Sequence, residues 1–542
     1  LAPAGCDDDS ANVLVPEPTI LESTNGVLQA TLTAAPASVM VAGQSFTSNV
    51  YNGTYVPPVL KLKRGDVLEL KLINQTGPAD VQMDGALPTN MHYHGMAIPP
   101  VAPADDIYLH IMPEAEFDYR WQVPMDHPQG AHWYHPHPHG LTEPQILSGM
   151  SGLLLIDGLL EDHYPGFAGL VQRNLLLKEI ELPGADDGAP RTKTINGVLG
   201  GVLPMHPGEL QVWNLGNVGA NAFFNLAIEG AQIWEIGRDG NVLVAPKRVD
   251  SVFIPPASRS TVVIVAPENP GRYAVRSLEV DTGPQGDPNP DVELALLEVS
   301  GPSMADPALM SRLTEPAVNR ATAGPTIESI AALPITRQRT ITFSETEDGN
   351  TFFIDGRTFD VNRNDIVVNL GDVEEWTVRN VSGERHVFHI HQLDFLVESI
   401  NNQDIDETGL RDTIDVPYQQ NGVPGEVKLI IPFTNPVMVG RFVYHCHLAE
   451  HEDNGMMANI VVLGPGQTTP APAQMRHVPP RPAPDNLLAR IRNWTAARFT
   501  SDAEANDWAG RSSPLTAATE QFTCSAPRRA GATNGTSTPL SP

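Results

Sequence analysis

Short stretches in which apolar and polar residues alternate recur along most of this chain, and turn residues separate them. This alternation is typical of β-strands, whose successive side chains point to opposite faces. Residues 59–63 and 67–73 alternate in this way on either side of a turn at 64–66, so we predict a β-hairpin there. Residues 152–156 predict a further strand that closes the first unit of the fold.

The strand pattern divides most of the chain into three β-units. We predict an N-terminal extension at 1–26, β-domains at 27–160, 168–300 and 336–465, a linker at 301–335, and a C-terminal tail at 466–542. Short strands with frequent turns favour an all-β fold of Greek-key β-sandwich domains. Within the Pro-, Thr- and Ala-rich tail, residues 485–498 predict one amphipathic helix that packs on the body of the protein.

Composition and charge narrow the classes of function. The chain has 542 residues, and 41% of them are hydrophobic. A chain of this length is too long for a single core. The net charge of −30 argues against a nucleic-acid partner, because phosphates would be repelled. No apolar run of about eighteen residues occurs, so we expect no membrane span. Because Leu1 is not a start Met and no signal peptide is present, we expect a processed, exported protein, periplasmic or extracellular.

Two of the three cysteines lie near opposite ends of the chain, at Cys6 and Cys524. In an exported protein a disulfide between them is the expected arrangement. The alternative is that Cys6 belongs to the remnant of a lipid-attachment site.

The third cysteine stands in the most informative segment of the sequence, His445-Cys446-His447. On a strand, the two histidines point to one face and the cysteine points to the other. A thiolate with imidazoles and a distant thioether is the ligand set of a blue-copper site, and Cys446, His451 and Met456 supply most of it. The two flanking histidines must then serve a second metal centre on the opposite face. Met457 competes with Met456 for the thioether role, and core packing is its alternative.

Three further segments carry histidines at a spacing of two residues. His389 and His391 share a strand face, while His386 falls on the opposite face and supplies the second imidazole for Cys446. With His445 and His447, the second centre then collects two histidines from each of four segments: His92, His94, His135, His137, His389, His391, His445 and His447. A single pair of this kind is commonly structural, and zinc would need about four ligands. Eight imidazoles instead favour several copper ions that bind dioxygen together.

These segments resemble the motifs of the multicopper oxidases, the family of laccases, bacterial cuprous oxidases and ferroxidases. The resemblance is carried by residues 91–96, 133–140, 386–391 and 445–456, and it spans about residues 30–465. It implies three cupredoxin-like domains and four copper ions per chain. The implied type 1 ligands are His386, Cys446, His451 and Met456. The implied type 2 ligands are His92 and His389. The implied ligands of the type 3 pair are His94, His135, His137, His391, His445 and His447.

The resemblance also implies two acidic residues that relay protons to the oxygen-reducing centre. Glu452 follows His451 at the acidic position of the bacterial enzymes. Asp105 or Asp106 matches the second position, and because the usual Asp-Gly context is missing we select Asp105. A surface charge or a helix cap is the alternative role for either carboxylate.

The expected activity is the oxidation of a reductant by single electrons, coupled to the reduction of dioxygen to water. A methionine axial ligand suits easily oxidised phenols and other aromatics, as in laccases. A metallo-oxidase acting on cuprous, ferrous or manganous ions is the alternative, which the acidic charge favours and the scattered distribution of the fourteen methionines disfavours. An electron carrier without oxygen chemistry would need only the Cys446 site, and a zinc hydrolase would not need that cysteine. We expect a monomer.

Overall fold

The computed structural model describes residues 13–80, 85–186, 189–320, 324–405, 408–468 and 475–480. β-Strand is the main regular structure in this part of the chain, and the helices are few and short, which confirms the all-β prediction. The strands form three pairs of sheets, and each pair is built from one continuous stretch of sequence. The predicted tail helix at 485–498 and the predicted Cys6–Cys524 disulfide lie outside the described residues.

The first sandwich carries two of the four histidine pairs. Its strands are β1 Ile20–Glu22, β2 Val27–Val41, β3 Gln44–Tyr51, β4 Val59–Leu62, β5 Val67–Asn74, β6 His92–His94, β7 Leu109–Ile111, β8 Glu116–Gln122, β9 Gly130–His135 and β10 Gly152–Ile156, with helix α1 Thr142–Ser148. One sheet has the order β1-β4-β10-β9-β6 and the other β3-β2-β5-β8. Leu60 and Leu154 from the first sheet meet Leu28 and Leu70 from the second in one buried core.

The second sandwich contains none of the predicted ligands. Its strands are β11 Val171–Ile180, β12 Thr192–Ile195, β13 Gly201–Met205, β14 Leu210–Asn217, β15 Phe224–Ile228, β16 Gln232–Arg238, β17 Asn241–Val249, β18 Val252–Ile254, β19 Arg259–Val265, β20 Gly271–Ser277 and β21 Val292–Val299. The sheet orders are β12-β11-β14-β19-β16-β17 and β13-β21-β20-β15-β18. Two short helices, α2 Pro307–Arg312 and α3 Ile327–Ala331, follow it.

The third sandwich carries the other two histidine segments and the cysteine. Its strands are β22 Arg337–Glu345, β23 Phe352–Ile354, β24 Ile366–Asn369, β25 Val373–Asn380, β26 His386–Ile390, β27 Leu396–Ile400, β28 Gln403–Asp404, β29 Thr413–Val416, β30 Gly425–Pro432, β31 Gly440–Cys446 and β32 Met457–Leu463, with helix α4 Ala449–Asp453. The sheet orders are β23-β22-β25-β30-β27-β28 and β24-β32-β31-β26-β29. A last strand, β33 Arg476–Val478, pairs in parallel with β7 of the first sandwich.

The predicted hairpin at 59–73 is wrong, although both of its strands exist. β4 pairs in parallel with β1 and β10, whereas β5 pairs with β2 and β8 in the opposite sheet. The turn between them crosses from one sheet to the other, and the Asp66 carboxylate accepts a hydrogen bond from the Lys63 N–H at 2.8 Å. Leu62 and Leu68 therefore enter the same core from opposite sides. Alternation identifies which face of a strand is buried, but it does not identify the neighbouring strand.

Strand pairing brings the ligand segments together in twos. β6 runs antiparallel to β9, so that His92 lies opposite His135. β26 runs antiparallel to β31, so that His389 lies opposite His445 and Phe388 lies opposite Cys446. Each sheet thereby presents a patch of imidazoles on one face, and the first and third sandwiches face each other across these patches.

No helix in the described ranges is long and apolar enough to cross a membrane.

A buried lysine on β11 of the second sandwich should make the stability of the protein depend on pH. Lys178 is fully buried, with its Nζ 3.3 Å from the Ser151 carbonyl and 4.6 Å from the Tyr55 ring centre. Burial lowers the pKa of Lys178 to about 7, against a smaller opposing effect of Glu179. The unfolded chain binds this proton up to about pH 10. The free energy of unfolding therefore gains a contribution that rises with pH between these two values.

Replacing Lys178 by Met removes that contribution. We expect Lys178→Met to raise the melting temperature of the copper-free protein near about pH 7.5, and the advantage to shrink toward about pH 9.5. Thermal unfolding at several pH values measures this difference. Lys63→Met provides a control, since it removes a lysine charge from an exposed position instead of a buried one. An advantage of Lys178→Met that stays constant with pH would contradict the interpretation.

Candidate metal centre

Three predicted ligands from the third sandwich form a compact cluster around the cysteine. The Cys446 Sγ atom lies 3.7 Å from the Nδ1 atoms of both His386 and His451, and these two nitrogens are 2.9 Å apart. β26 contributes His386, β31 contributes Cys446, and α4 contributes His451. All three side chains are buried. The arrangement matches the donor set of a mononuclear thiolate–imidazole metal site.

The two neighbouring methionines are separated by the fold. Met456 is buried in the same core cluster as Cys446, and its backbone bonds to both sides of the site: its carbonyl accepts the Cys446 N–H, and its N–H donates to the His451 carbonyl. Met457 packs in a different cluster with Tyr108 and Val443. Only Met456 therefore shares the apolar surroundings of the sulfur atom.

The chemistry of Cys446 fits a bound cation. Burial raises the pKa of this thiol well above its usual range, and the Val387 N–H that donates to Sγ at 3.3 Å only partly offsets this effect. A thiolate in such surroundings needs a positive charge in direct contact, which a metal ion provides.

The outward-facing nitrogens of the two imidazoles contact polar groups. His386 Nε2 lies 2.7 Å from the Ser382 hydroxyl, and His451 Nε2 lies 3.3 Å from the Glu384 carboxyl. Phe352 stacks on the His451 ring with the ring centres 3.9 Å apart. Burial, together with the neighbouring acidic side chains, raises the pKa of Glu384 to about 10.

The eight histidines predicted for the second centre form one buried cluster between the first and third sandwiches. His445 Nε2 lies 3.2 Å from His391 Nε2 and 3.4 Å from His137 Nε2. The rings of His92 and His391 stack with their centres 3.8 Å apart. The structure thus brings together every histidine that strand parity assigned to the second centre: His92, His94, His135, His137, His389, His391, His445 and His447.

In three imidazoles of this cluster, one ring nitrogen is held by a hydrogen bond to the protein, and the other ring nitrogen has no such bond. His92 donates from Nδ1 to Asp105 at 2.9 Å, and His389 donates from Nδ1 to the Asp412 carbonyl at 2.8 Å. His94 donates from Nε2 to the Asp412 carboxylate at 3.2 Å. The opposite nitrogens of these rings are buried and have no hydrogen-bond partner in the described part of the chain. Burial and the neighbouring imidazoles lower the pKa of all three histidines well below its usual range, so the rings are neutral, which is the form of imidazole that binds metals.

Both predicted acidic residues contact this cluster. Glu452 is fully buried, and its two oxygens lie 3.4 Å from His137 Nδ1 and 3.2 Å from His445 Nδ1. Burial alone would raise the pKa of Glu452, but the two facing imidazoles and the Thr142 hydroxyl, which donates at 2.8 Å, lower it well below its usual range.

The structure also separates the two candidate aspartates. Asp105 lies against His92, accepts the Tyr93 N–H at 3.1 Å, and has a pKa that burial raises to about 7. Asp106 instead pairs with Arg476. Of these two aspartates, Asp105 is therefore the one in contact with the histidine cluster.

Several polar residues around the two centres were not predicted from the sequence. Ser382 and Glu384 stand next to His386 in the chain, so their proximity to the cysteine site could have been inferred. Asp412 contacts His94, and Arg259 in turn bonds to Asp412. Both come from distant parts of the sequence and carry no local signal.

Comparison with known proteins agrees with this geometry. Sequence profiles of the multicopper oxidase family match residues 34–160, 158–302 and 332–466. The chain belongs to the multicopper oxidase family. Membership implies that it binds copper and acts as an oxidoreductase with oxygen as acceptor.

Relatives that carry different names match most of the chain. A multicopper oxidase of Staphylococcus haemolyticus is 27% identical over 82% of this chain and 91% of its own length. A laccase of Haloferax volcanii is 24% identical over 77% of this chain and 78% of its own length. The solved structure of a multicopper oxidase from Campylobacter jejuni, described as a metallo-oxidase, superposes with a TM-score of 0.69 at 24% identity and covers 83% of this chain and 95% of its own. The last comparison supports the fold and leaves the substrate open.

The cysteine cluster gives a direct prediction about metal content. Replacing Cys446 by Ser removes the sulfur atom that lies 3.7 Å from both Nδ1 atoms. We therefore expect the copper content to fall by about one ion per chain and the thiolate-to-copper absorption band to disappear. Elemental analysis and visible absorption of the copper-loaded protein measure both quantities.

Two methionine variants serve as matched controls for this test. Met456→Leu should shift the absorption band, whereas Met457→Leu should leave it in place because that side chain packs in another cluster. An unchanged band in Cys446→Ser would show that the cysteine is not a ligand.

Proposed function

We propose that this multicopper oxidase holds four copper ions and couples the one-electron oxidation of a phenolic or other aromatic reductant to the four-electron reduction of dioxygen to water. The proposed type 1 site is His386, Cys446, His451 and Met456. The proposed type 2 ligands are His92 and His389, and the remaining six histidines of the cluster would hold the type 3 pair. The observation that carries the proposal is strand β31 with its extension to His447, which contributes to both clusters from adjacent residues.

When bound, the copper ions supply one-electron redox chemistry and together store the electrons that dioxygen needs. The chain supplies the path between the two centres, because Cys446 is joined to His445 and His447 by one peptide unit on each side. The ring of His445 is held by its Nδ1, which lies 3.0 Å from the Cys446 carbonyl. Cys446 and its neighbours thereby connect the two clusters through covalent bonds and a short contact.

Formation of water also consumes protons, and Glu452 is placed to deliver them. Its carboxylate bridges His137 and His445 and accepts the Thr142 hydroxyl, so a proton can move between these groups inside a buried site. Asp105 holds the corresponding place at His92, on the other side of the cluster.

A substitution of Glu452 tests this role. We expect Glu452→Gln to slow reoxidation of the fully reduced enzyme by dioxygen by roughly 100-fold, because the amide cannot release a proton, while copper content and the thiolate-to-copper band stay unchanged. Stopped-flow absorption measures the rate.

Glu450→Gln, on the same helix, is the matched control and should reoxidise at the wild-type rate. If Glu452→Gln loses copper or colour, Glu452 has a structural role instead.

Two observations support an organic reductant. The outer edge of this ring lies close to the surface of the third sandwich, with the Glu384 carboxyl beside Nε2 as a hydrogen-bonding group for a phenolic hydroxyl. Among the described residues, the exposed methionines are Met40, Met125 and Met304, and their wide separation along the chain argues against a thioether cap for cuprous ions. Both features suit a laccase-like substrate.

A different observation favours a metal-ion reductant as the second candidate. Glu384 is surrounded by Glu345, Asp287 and Glu450, whose charges add to the effect of burial in raising its pKa. A divalent cation would relieve this repulsion, and ferrous and manganous ions accept carboxylate ligands.

Oxygen uptake by the copper-loaded enzyme separates the candidates. We expect the kcat/KM for a methoxyphenol to be at least about tenfold higher than the kcat/KM for cuprous, ferrous or manganous ions. A difference of this size is larger than small differences in binding would produce. A metal ion as the best substrate would establish the second candidate. Absence of oxygen uptake with every reductant would overturn both. The exported location and the monomeric state expected from the sequence stay predictions.

A further inference from the structure

The second sandwich reaches the histidine cluster through one buried ion pair. Arg259 is the first residue of β19, and Asp412 immediately precedes β29 of the third sandwich. The two Nη atoms of Arg259 donate to the two oxygens of Asp412 at 2.8 and 2.5 Å, which is a bidentate geometry. Both side chains are at most 1% exposed.

Asp412 contacts two of the proposed ligands with different groups. Its Oδ1 atom accepts the Nε2–H of His94 at 3.2 Å, and its main-chain carbonyl accepts the Nδ1–H of His389 at 2.8 Å. The Thr413 hydroxyl also donates to Oδ1 at 2.9 Å. The rings of His94 and His389 stack with their centres 3.8 Å apart. One residue therefore fixes the tautomers and the mutual orientation of two imidazoles, and it leaves His94 Nδ1 and His389 Nε2 facing the cluster.

Arg259 also contacts the first sandwich. Its Nε donates to the Ala131 carbonyl at 3.1 Å, on the strand that ends at His135. A single guanidinium from the second sandwich thus links a ligand-bearing strand of the first sandwich to Asp412 of the third.

The residue after His94 shows that this close approach is built into the chain. Gly95 has a φ of +80°, and a Cβ atom at this position would lie 2.6 Å from both Arg259 Nη2 and Asp412 Oδ2. Any larger residue would push the ion pair away from the strand that carries His94. The glycine of the His-Tyr-His-Gly motif is therefore required by the ion pair as well as by the turn.

The desolvation cost of a buried ion pair suggests that this pair positions other groups and adds little to stability. Removing two charges from water commonly offsets most of their mutual attraction, so a buried ion pair is weak evidence for stability. Hydrogen-bond partners of metal-ligating histidines, by contrast, control ring orientation and ligand basicity.

We infer that the Arg259–Asp412 pair is a positioning device for His94 and His389, so that the ligand-free second sandwich forms part of the copper-binding unit. The inference rests on the proposed function only in that the histidine cluster binds copper. It gives the second sandwich a role beyond spacing the other two.

The test weakens the pair in two ways, through its geometry and through its charge. Arg259→Lys retains the positive charge but loses the bidentate geometry, and Asp412→Asn retains the shape but loses the negative charge. We expect each variant to bind copper at the histidine cluster roughly 10- to 100-fold more weakly, while the thiolate-to-copper band keeps its wild-type intensity. Copper(II) competition against a chelator, followed by copper analysis and visible absorption, measures both centres separately.

A second bidentate pair, with a buried carboxylate and a partly exposed guanidinium, provides the control. Arg339 donates to both oxygens of Glu374 at 2.9 Å within the third sandwich. Arg339→Lys should keep wild-type copper affinity at the histidine cluster, whatever its effect on the melting temperature of the copper-free protein.

Wild-type copper affinity in the Arg259→Lys variant would overturn the inference, also if that variant unfolds at a lower temperature. If Asp412→Asn does not yield folded protein, Arg259→Lys decides alone. Failure of the proposed function has a different signature, because the wild-type protein would then bind no copper at the histidine cluster.

Discussion

The alternation of side chains along one strand is the constraint on which both centres depend. In β31 and its extension, Cys446 points into the core of the third sandwich, while His445 and His447 point toward the first sandwich. An extended strand places two donor types on opposite sides within three residues because successive side chains alternate between its faces. The distance between the centres is therefore set by covalent geometry, and the rest of the protein has only to bring the remaining ligands to each side.

The remaining ligands arrive by two different kinds of packing. Within the third sandwich, antiparallel pairing of β26 with β31 places His386 near Cys446 and sets His389 beside His445. Between sandwiches, the face of β6 and β9 closes on the face of β26 and β31, and this contact completes the histidine cluster. The cysteine site thus belongs to one sandwich, whereas the histidine cluster exists only when two sandwiches are docked. Contacts that fix the docking, such as those of Arg259, act on the second centre more than on the first.

Much of the site could be read from the sequence because strand parity is a local rule. Strand parity assigned His386 to the cysteine site and the eight paired histidines to the second centre. The structure brings them together in those two groups. The predicted hairpin failed because alternation at 59–73 reports burial and says nothing about which strand lies alongside. Asp412 and Arg259 stand 153 residues apart, and their contact follows from the docking of two sandwiches, which no short motif encodes. The selection of Asp105 over Asp106 rested on the family pattern, and only the structure shows which carboxylate reaches His92.

The central claim is that electrons pass from the cysteine site to the histidine cluster along β31. The most direct test is to reduce the copper-loaded protein without oxygen, so that the thiolate-to-copper band is bleached, and then to admit dioxygen. We expect the band to return fully, and about four electrons to be consumed for each dioxygen, with water as the product. A band that stays bleached in the presence of dioxygen would contradict the account, because the two centres would then not be connected.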